Sequence, residues 1–172
     1  MEPWIAERLE ALPVASQIEL CGTYQFAVEP LLDVVWDEVE RLGALHHAEM
    51  IEHHLGEQYN PDKEGRQIDC ATGRLFACII RDADKDMVGY ALIYIFKNRN
   101  SQEIQVREDA MFIQKEHRRG RLFMRFNDYV HNLARKVGAT KSRIQVCVGA
   151  RNARYVKSIG YREIATIMEM NL

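Results

Sequence analysis

Apolar residues along this chain fall into two rhythms, one of period two and one of period three to four. The first marks Ile18–Val28 as a strand that ends at Glu29-Pro30. Pro30 suits the opening turn of a helix, where its missing N–H would have no intrahelical partner. Leu31, Leu32, Val35, Trp36, Val39, Leu42 and Leu45 then recur at helical spacing. Asn60-Pro61-Asp62 reads as a cap for a short helix reaching Ala71. Leu75–Arg81 and Met87–Phe96 are apolar runs joined by a polar turn, Asp82 to Asp86, which predicts a hairpin. Ile104–Gln114 is the next strand. A helix over Gly120–Val137 lines up Leu122, Phe126, Val130, Leu133 and Val137 on one face, and Gly138 closes it. A strand at Ile144–Val148, a helix at Ala150–Ser158 and a strand at Gly160–Asn171 complete the order β-α-α-β-β-β-α-β-α-β. This pattern predicts one α/β (α+β) domain over residues 1–172.

Composition agrees with a packed core, with 47% apolar and 28% charged residues in 172. No apolar run approaches the ~20 residues that span a bilayer, and the start, Met1-Glu2-Pro3-Trp4, lacks the basic-then-apolar order of a secretory leader. Cys21, Cys70, Cys78 and Cys147 show no metal or redox spacing, and Cys78 and Cys147 sit in apolar runs as small hydrophobes. A reduced, cytoplasmic protein is expected. Charge is unevenly placed: residues 1–106 carry −10 and residues 107–172 carry +8, which sum to −2. Unless folding intermixes them, the two halves suit partners of opposite sign.

Three motifs carry less than they promise. Asp82-x-Asp84-x-Asp86 opens like a calcium loop, but Met87 and Ile93 stand where such a loop needs Gly and Glu, so it reads as a solvated turn. The run His46-His47-Ala48-Glu49-Met50-Ile51-Glu52-His53-His54 puts His46, Glu49 and His53 on one helical face. It lacks the HExxH order, so no metal is expected, and a polar or substrate-facing surface remains open. Arg118, Arg119, Arg121 and Arg125 form a basic cluster without the interleaved aromatics that stack bases, and the pI of about 6.3 argues against a dedicated nucleic-acid binder.

The stronger signal is the order strand, basic loop, helix from Asp109 to Phe123. N–H groups at a helix start are unpaired and point outward, and the macrodipole places partial positive charge there. Guanidinium groups beside them complete a site for an anion such as a pyrophosphate.

This segment resembles motif A of the GNAT superfamily of N-acetyltransferases, where an apolar strand leads to Arg/Gln-x-x-Gly-x-Gly/Ala. Arg118 matches the first position and Gly120 keeps one flexible residue, while Arg121 and Phe123 stand where glycines are usual. Arg154-Tyr155-Val156-Lys157-Ser158-Ile159-Gly160-Tyr161 resembles the superfamily's late helix and turn, and Arg74-Leu75-Phe76 through Val88-Gly89-Tyr90-Ala91 its central hairpin. The likeness covers about residues 40–172 and is nearest to a bacterial and bacteriophage-borne branch. It implies a mixed, centrally splayed sheet of about six strands flanked by helices, with strands 104–114 and 144–148 parallel. It also implies direct transfer of acetyl from acetyl-CoA to an amine, without an acyl-enzyme. Phe112 and Ile113 would pair with the pantetheine arm, and Arg118, Arg119, Gly120, Arg121, Leu122 and Phe123 would hold the pyrophosphate. Asp109, with Glu108 second, would be the general base. The family's late-helix tyrosine position is Val156 here; Tyr155, about 100° around the helix, is the remaining hydroxyl for the leaving thiolate.

The resemblance implies acetyl-CoA and a cationic amine as partners, neither membrane nor nucleic acid, and leaves a homodimer open. Two alternatives stay: a protein of this fold that binds acyl-CoA or regulates without turnover, and a nucleic-acid-modifying or -binding protein using the arginine cluster.

Overall fold

A computed structural model describes residues 18–50, 58–146 and 152–165. Its elements are β1 (Glu19–Cys21), β2 (Tyr24–Val28), α1 (Asp33–Met50), α2 (Lys63–Ala71), β3 (Leu75–Arg81), β4 (Met87–Lys97), β5 (Ile104–Ile113), a 3-10 turn (Lys115–His117), α3 (Leu122–Lys136), β6 (Lys141–Arg143) and α4 (Asn152–Ser158). The strands form one sheet in the order β1-β2-β3-β4-β5-β6. Neighbours are antiparallel except β5 and β6, which run parallel. This is the mixed α+β sheet expected, flanked by helices on both faces.

Each face has its own core. On one side, Phe126, Val130, Leu133 and Val137 of α3 pack on Phe26, Cys78, Ile80, Val106 and Ile113. On the other, Trp36, Val39 and Leu42 of α1 pack on Leu75, Ile79, Met87, Leu92 and Phe112. Both faces of β3 and β4 are covered, which explains why their sequences are continuous apolar runs rather than alternating ones. Close packing also dictates Gly89: a Cβ there would lie 2.9 Å from the Phe112 carbonyl oxygen and 2.9 Å from Ile80 Cδ1. Arg81 links three elements by bonding Glu29 at 2.7 Å and Glu38 at 2.8 Å.

Several expectations are corrected. The first predicted strand is a hairpin, because Gly22 adopts φ +63° and turns the chain between Cys21 and Tyr24. Leu32 and Leu45 are exposed; Leu31, Trp36, Val39 and Leu42 alone carry the buried face of that segment, with Val35 at its margin. α1 also continues to Met50, so His46, His47 and Glu49 are helical, whereas His53 and His54 lie outside the described residues. The strand expected at Ile144–Val148 forms earlier, at Lys141–Arg143, where the backbone meets Gln105–Arg107 of β5. Residues 144–146 have already left the sheet, and 147–148 lie outside the described residues, as does Cys147. Residues 160–165 are not a strand, and the rest of that predicted strand is outside the described residues. The Asp82–Asp86 turn is closed by its own backbone, with Asp82 Oδ1 accepting from the N–H groups of Asp84 (3.0 Å) and Asp86 (3.1 Å). Among the described residues no cluster of three His, Cys, Asp or Glu is arranged to hold a metal. No described helix is long and apolar enough to cross a membrane.

Candidate cofactor and acceptor site

The site is built around β5, whose inward pattern changes phase halfway. Ile104, Val106, Met111 and Ile113 face the α3 core, while Ala110 and Phe112 face the α1 core. Val106 and Met111 are an odd number of residues apart, so strict alternation cannot put both on one face. A β-bulge resolves the conflict: Leu92 pairs with Ala110, Ile93 pairs with Glu108, and Asp109 is the extra residue. Glu108 keeps the phase of Val106 and belongs to the α3 face. Asp109 turns toward α2, where its Oδ2 meets Arg66 Nη2 at 2.8 Å.

The two carboxylates therefore have different environments. Desolvation pushes the Glu108 carboxyl up to about 8, and the neighbouring Asp109 charge adds to the rise. Glu108 makes no hydrogen bond or ion pair among the described residues. Tyr161 feels its charge and is itself held by His131 Nε2 (2.7 Å) and Ser142 Oγ (3.1 Å). Around Asp109 stand two tyrosines. The Tyr94 hydroxyl is pushed up to about 12, first by desolvation and then by the Asp109 charge and a bond to Asp69. Desolvation likewise raises Tyr90.

Immediately beyond Arg107 and Arg143 the parallel pair ends, so Glu108 sits at the vertex where the sheet opens. The orientation of the open edge follows from the ladder. Gln114 N–H donates to the Val88 carbonyl (2.9 Å), in the register that pairs Ile113 with Gly89. Residues of an antiparallel strand alternate between bonding their partner and pointing away. Phe112 thus bonds toward β4, and the main-chain groups of Met111 and Ile113 face the opening.

Past β5, the 3-10 turn leads into Gly120, which takes φ +62° in open space. Arg121 caps α3 without a side-chain bond to the helix. The first-turn N–H groups of Leu122, Phe123 and Met124 have no intrahelical acceptor, and Arg119, Arg121 and Arg125 are exposed around them. The left-handed turn falls at Gly120, and Arg121 takes an ordinary φ of −107° where a glycine is usual. Phe123, in the other glycine position, meets the Tyr155 ring edge-on at 5.2 Å. The Tyr155 hydroxyl is buried without a hydrogen bond among the described residues, and desolvation raises its pKa. Val156 is buried.

Arg118 is engaged elsewhere. Its Nε donates to the Ile113 carbonyl at 2.6 Å, its Nη2 pairs with Glu49 of α1 at 2.7 Å, and its guanidinium lies 5.0 Å from the Phe112 ring centre. His46 stacks on the same ring at 5.1 Å and approaches the Tyr90 hydroxyl at 3.3 Å. Desolvation pushes His46 down to about 4, assisted by the Arg118 charge and opposed by Glu49, so it is neutral near pH 7.

Glu108, Asp109, Met111 to Ile113 and residues 118 to 123 follow one another along β5 and the turn into α3, and Tyr155 packs against that turn through Phe123. Sequence reasoning missed Arg66 and His131, and it read Glu49 only as part of a polar or substrate-facing helix face and Tyr161 only as part of the late turn, without linking either to β5 or its loop. Only the bulge left a readable trace, in the odd spacing between Val106 and Met111.

No established protein family matches the chain by sequence, and no curated protein is significantly similar. Solved structures do match. A tetramutant of the BH1408 protein from Bacillus halodurans superposes with a TM-score of 0.73 at 15% identity, over 86% of this chain and 99% of that one. An aminoglycoside acetyltransferase from an uncultured soil metagenomic sample, in complex with sisomicin, gives 0.72 at 12% identity, over 90% and 99%. The ribosomal-protein-alanine N-acetyltransferase from Brucella melitensis biovar Abortus 2308 gives 0.64 at 14% identity, over 87% and 99%. The chain shares the fold of these two acetyltransferases.

Proposed function

We propose that this chain is an acetyl-CoA-dependent N-acetyltransferase acting on a primary amine in a ternary complex. The observation that carries the reading is the parting of β5 from β6 directly before an uncapped helix start. Among the described residues no strand pairs with β5 beyond Arg107, which leaves an edge for an amide-bearing arm, and the helix start offers N–H donors to a pyrophosphate. The buried, unpartnered Tyr155 hydroxyl behind the loop fits the same ligand.

In this reading the main-chain groups of Met111 and the N–H of Ile113 take the pantetheine arm beside the Phe112 ring, while Arg118 holds the Ile113 carbonyl. The first turn of α3, with Arg119, Gly120 and Arg121, takes the phosphates, and Leu122 and Phe123 anchor that turn on its buried side. Asp109, on the α2 side, accepts the proton of the acceptor ammonium. The freed nitrogen bonds to the acetyl carbon, the carbon–sulfur bond breaks, and CoA leaves as a thiol after taking up a proton. Glu108 holds its own proton at neutral pH and shapes the vertex of the opening. Tyr155 stands behind the pyrophosphate turn with its ring against Phe123.

A second reading, a protein of this fold that binds acyl-CoA without turnover, draws support from Arg118 being paired with Glu49 and from Val156 standing in the tyrosine position. Calorimetric titration with acetyl-CoA and CoA, followed by thiol release with an amine library, separates the two. Binding with amine-dependent thiol release supports the enzyme, and binding without release supports the second reading. No binding defeats both.

A further inference from the structure

The Arg66–Asp109 pair says more about the acceptor than a general base alone would. It is the one ion pair Arg66 forms among the described residues, and it ties the middle of α2 to the bulged residue of β5. Both side chains are shielded but reachable, at 28% and 29% exposure. Lys63 is matched with Asp33, Arg74 with Asp69 and Arg118 with Glu49, while Arg107 lies over the Tyr94 ring, 5.9 Å from its centre. Among the described residues no second acid pairs with Arg66.

This matters when an amine arrives. An ammonium that reaches Asp109 must displace Arg66 or share its partner. A plain cationic amine would leave a half-buried guanidinium without its counter-charge and beside a like charge, which is costly in a shielded site. An amine that carries its own carboxylate removes that cost, because its ammonium goes to Asp109 and its carboxylate to Arg66. The fork of donors on Arg66 suits a carboxylate geometrically as well.

Resting on the N-acetyltransferase reading, the geometry points to a zwitterionic acceptor of the free amino-acid class, with Arg66 as the residue that selects its carboxylate. Tyr94 and Tyr90, whose hydroxyls feel the Asp109 charge, and Tyr59, which feels Arg66, border the same place.

The test measures kcat/KM in full-length protein for three matched acceptors: leucine, leucinamide and isoamylamine. Wild type is expected to prefer leucine over both by tenfold or more, the scale of one charge-assisted bond. Arg66→Gln should bring that ratio at least tenfold closer to one, and Arg66→Lys should restore part of it. A wild-type ratio near one overturns the inference while leaving the acetyltransferase reading intact. So does an Arg66→Gln variant that loses activity equally on all three, because Arg66 would then only pin α2 to β5. If wild type binds acetyl-CoA but acetylates none of them, the amine library decides the acetyltransferase reading separately. Chemical-shift titration of the acetyl-CoA complex with the same three compounds then decides the inference. Preferential binding of leucine that disappears in Arg66→Gln upholds it, and no preference overturns it.

Discussion

Replacing Glu108 by Gln probes the vertex of the opening through stability alone. Desolvation lifts this carboxyl from an ordinary 4.5 to about 8 in the folded chain. Between those values the native state keeps a proton that the unfolded chain has released, so raising the pH favours unfolding. A displaced pKa is worth about 1.4 kcal/mol per unit. Wild type should therefore lose stability through this group with a limiting slope of about 1.4 kcal/mol per pH unit between about 4.5 and 8, levelling off above. His46, pushed down to about 4, works the other way: its contribution rises as pH climbs from about 4 to 6.5. Comparing Glu108→Gln with wild type cancels that opposing term. Gln keeps the shape and cannot ionise, so its advantage should grow with pH and reach a few kcal/mol near pH 9. Urea unfolding followed by tryptophan fluorescence from about pH 5 to 9 measures it. A difference that does not change with pH would refute the placement of Glu108 in a desolvated position.

Other expectations follow from the same geometry. Arg121→Ala should weaken acetyl-CoA binding tenfold or more, the usual scale of a charge-assisted contact, whereas Glu49→Gln should strengthen it by releasing Arg118 from its ion pair; isothermal titration reads both. Gly89→Ala should cost about 1–3 kcal/mol, because its methyl group meets the Phe112 carbonyl and Ile80, and a denaturant midpoint measures the loss. Calcium should not raise the melting temperature beyond the effect of magnesium, since Asp82 spends its carboxylate on the N–H groups of its own turn.

Much of the scaffold was legible because it is local. The stripe Leu122, Phe126, Val130, Leu133 and Val137 is buried as its spacing predicts, and β3 and β4 follow from continuous apolar runs around one polar turn. The loop after β5 could be read as a candidate anion site because strand, basic residues and helix start are consecutive. What escaped depends on partners far along the chain. β6 is set by where its backbone meets Gln105–Arg107, which an apolar run at 144–148 could not reveal. Leu45 has helical spacing, yet faces solvent because the stripe drifts off the sheet near the end of α1. Arg66 and Glu49 are ordinary surface-type residues by sequence; only the fold brings them to Asp109 and Arg118.

The central claim is that this opening transfers acetyl from acetyl-CoA to an amine with Asp109 taking the proton. The most direct measurement is CoA thiol release at saturating acetyl-CoA and amine, in wild type and Asp109→Asn, as a function of pH. The account predicts amine-dependent release that falls by roughly 10²–10⁴ in Asp109→Asn at neutral pH, the usual scale for a lost general base. Acetyl-CoA binding should stay nearly intact, and the deficit should shrink as rising pH deprotonates the amine unaided. Equal release by both proteins at every pH, or release indifferent to amine, would contradict it.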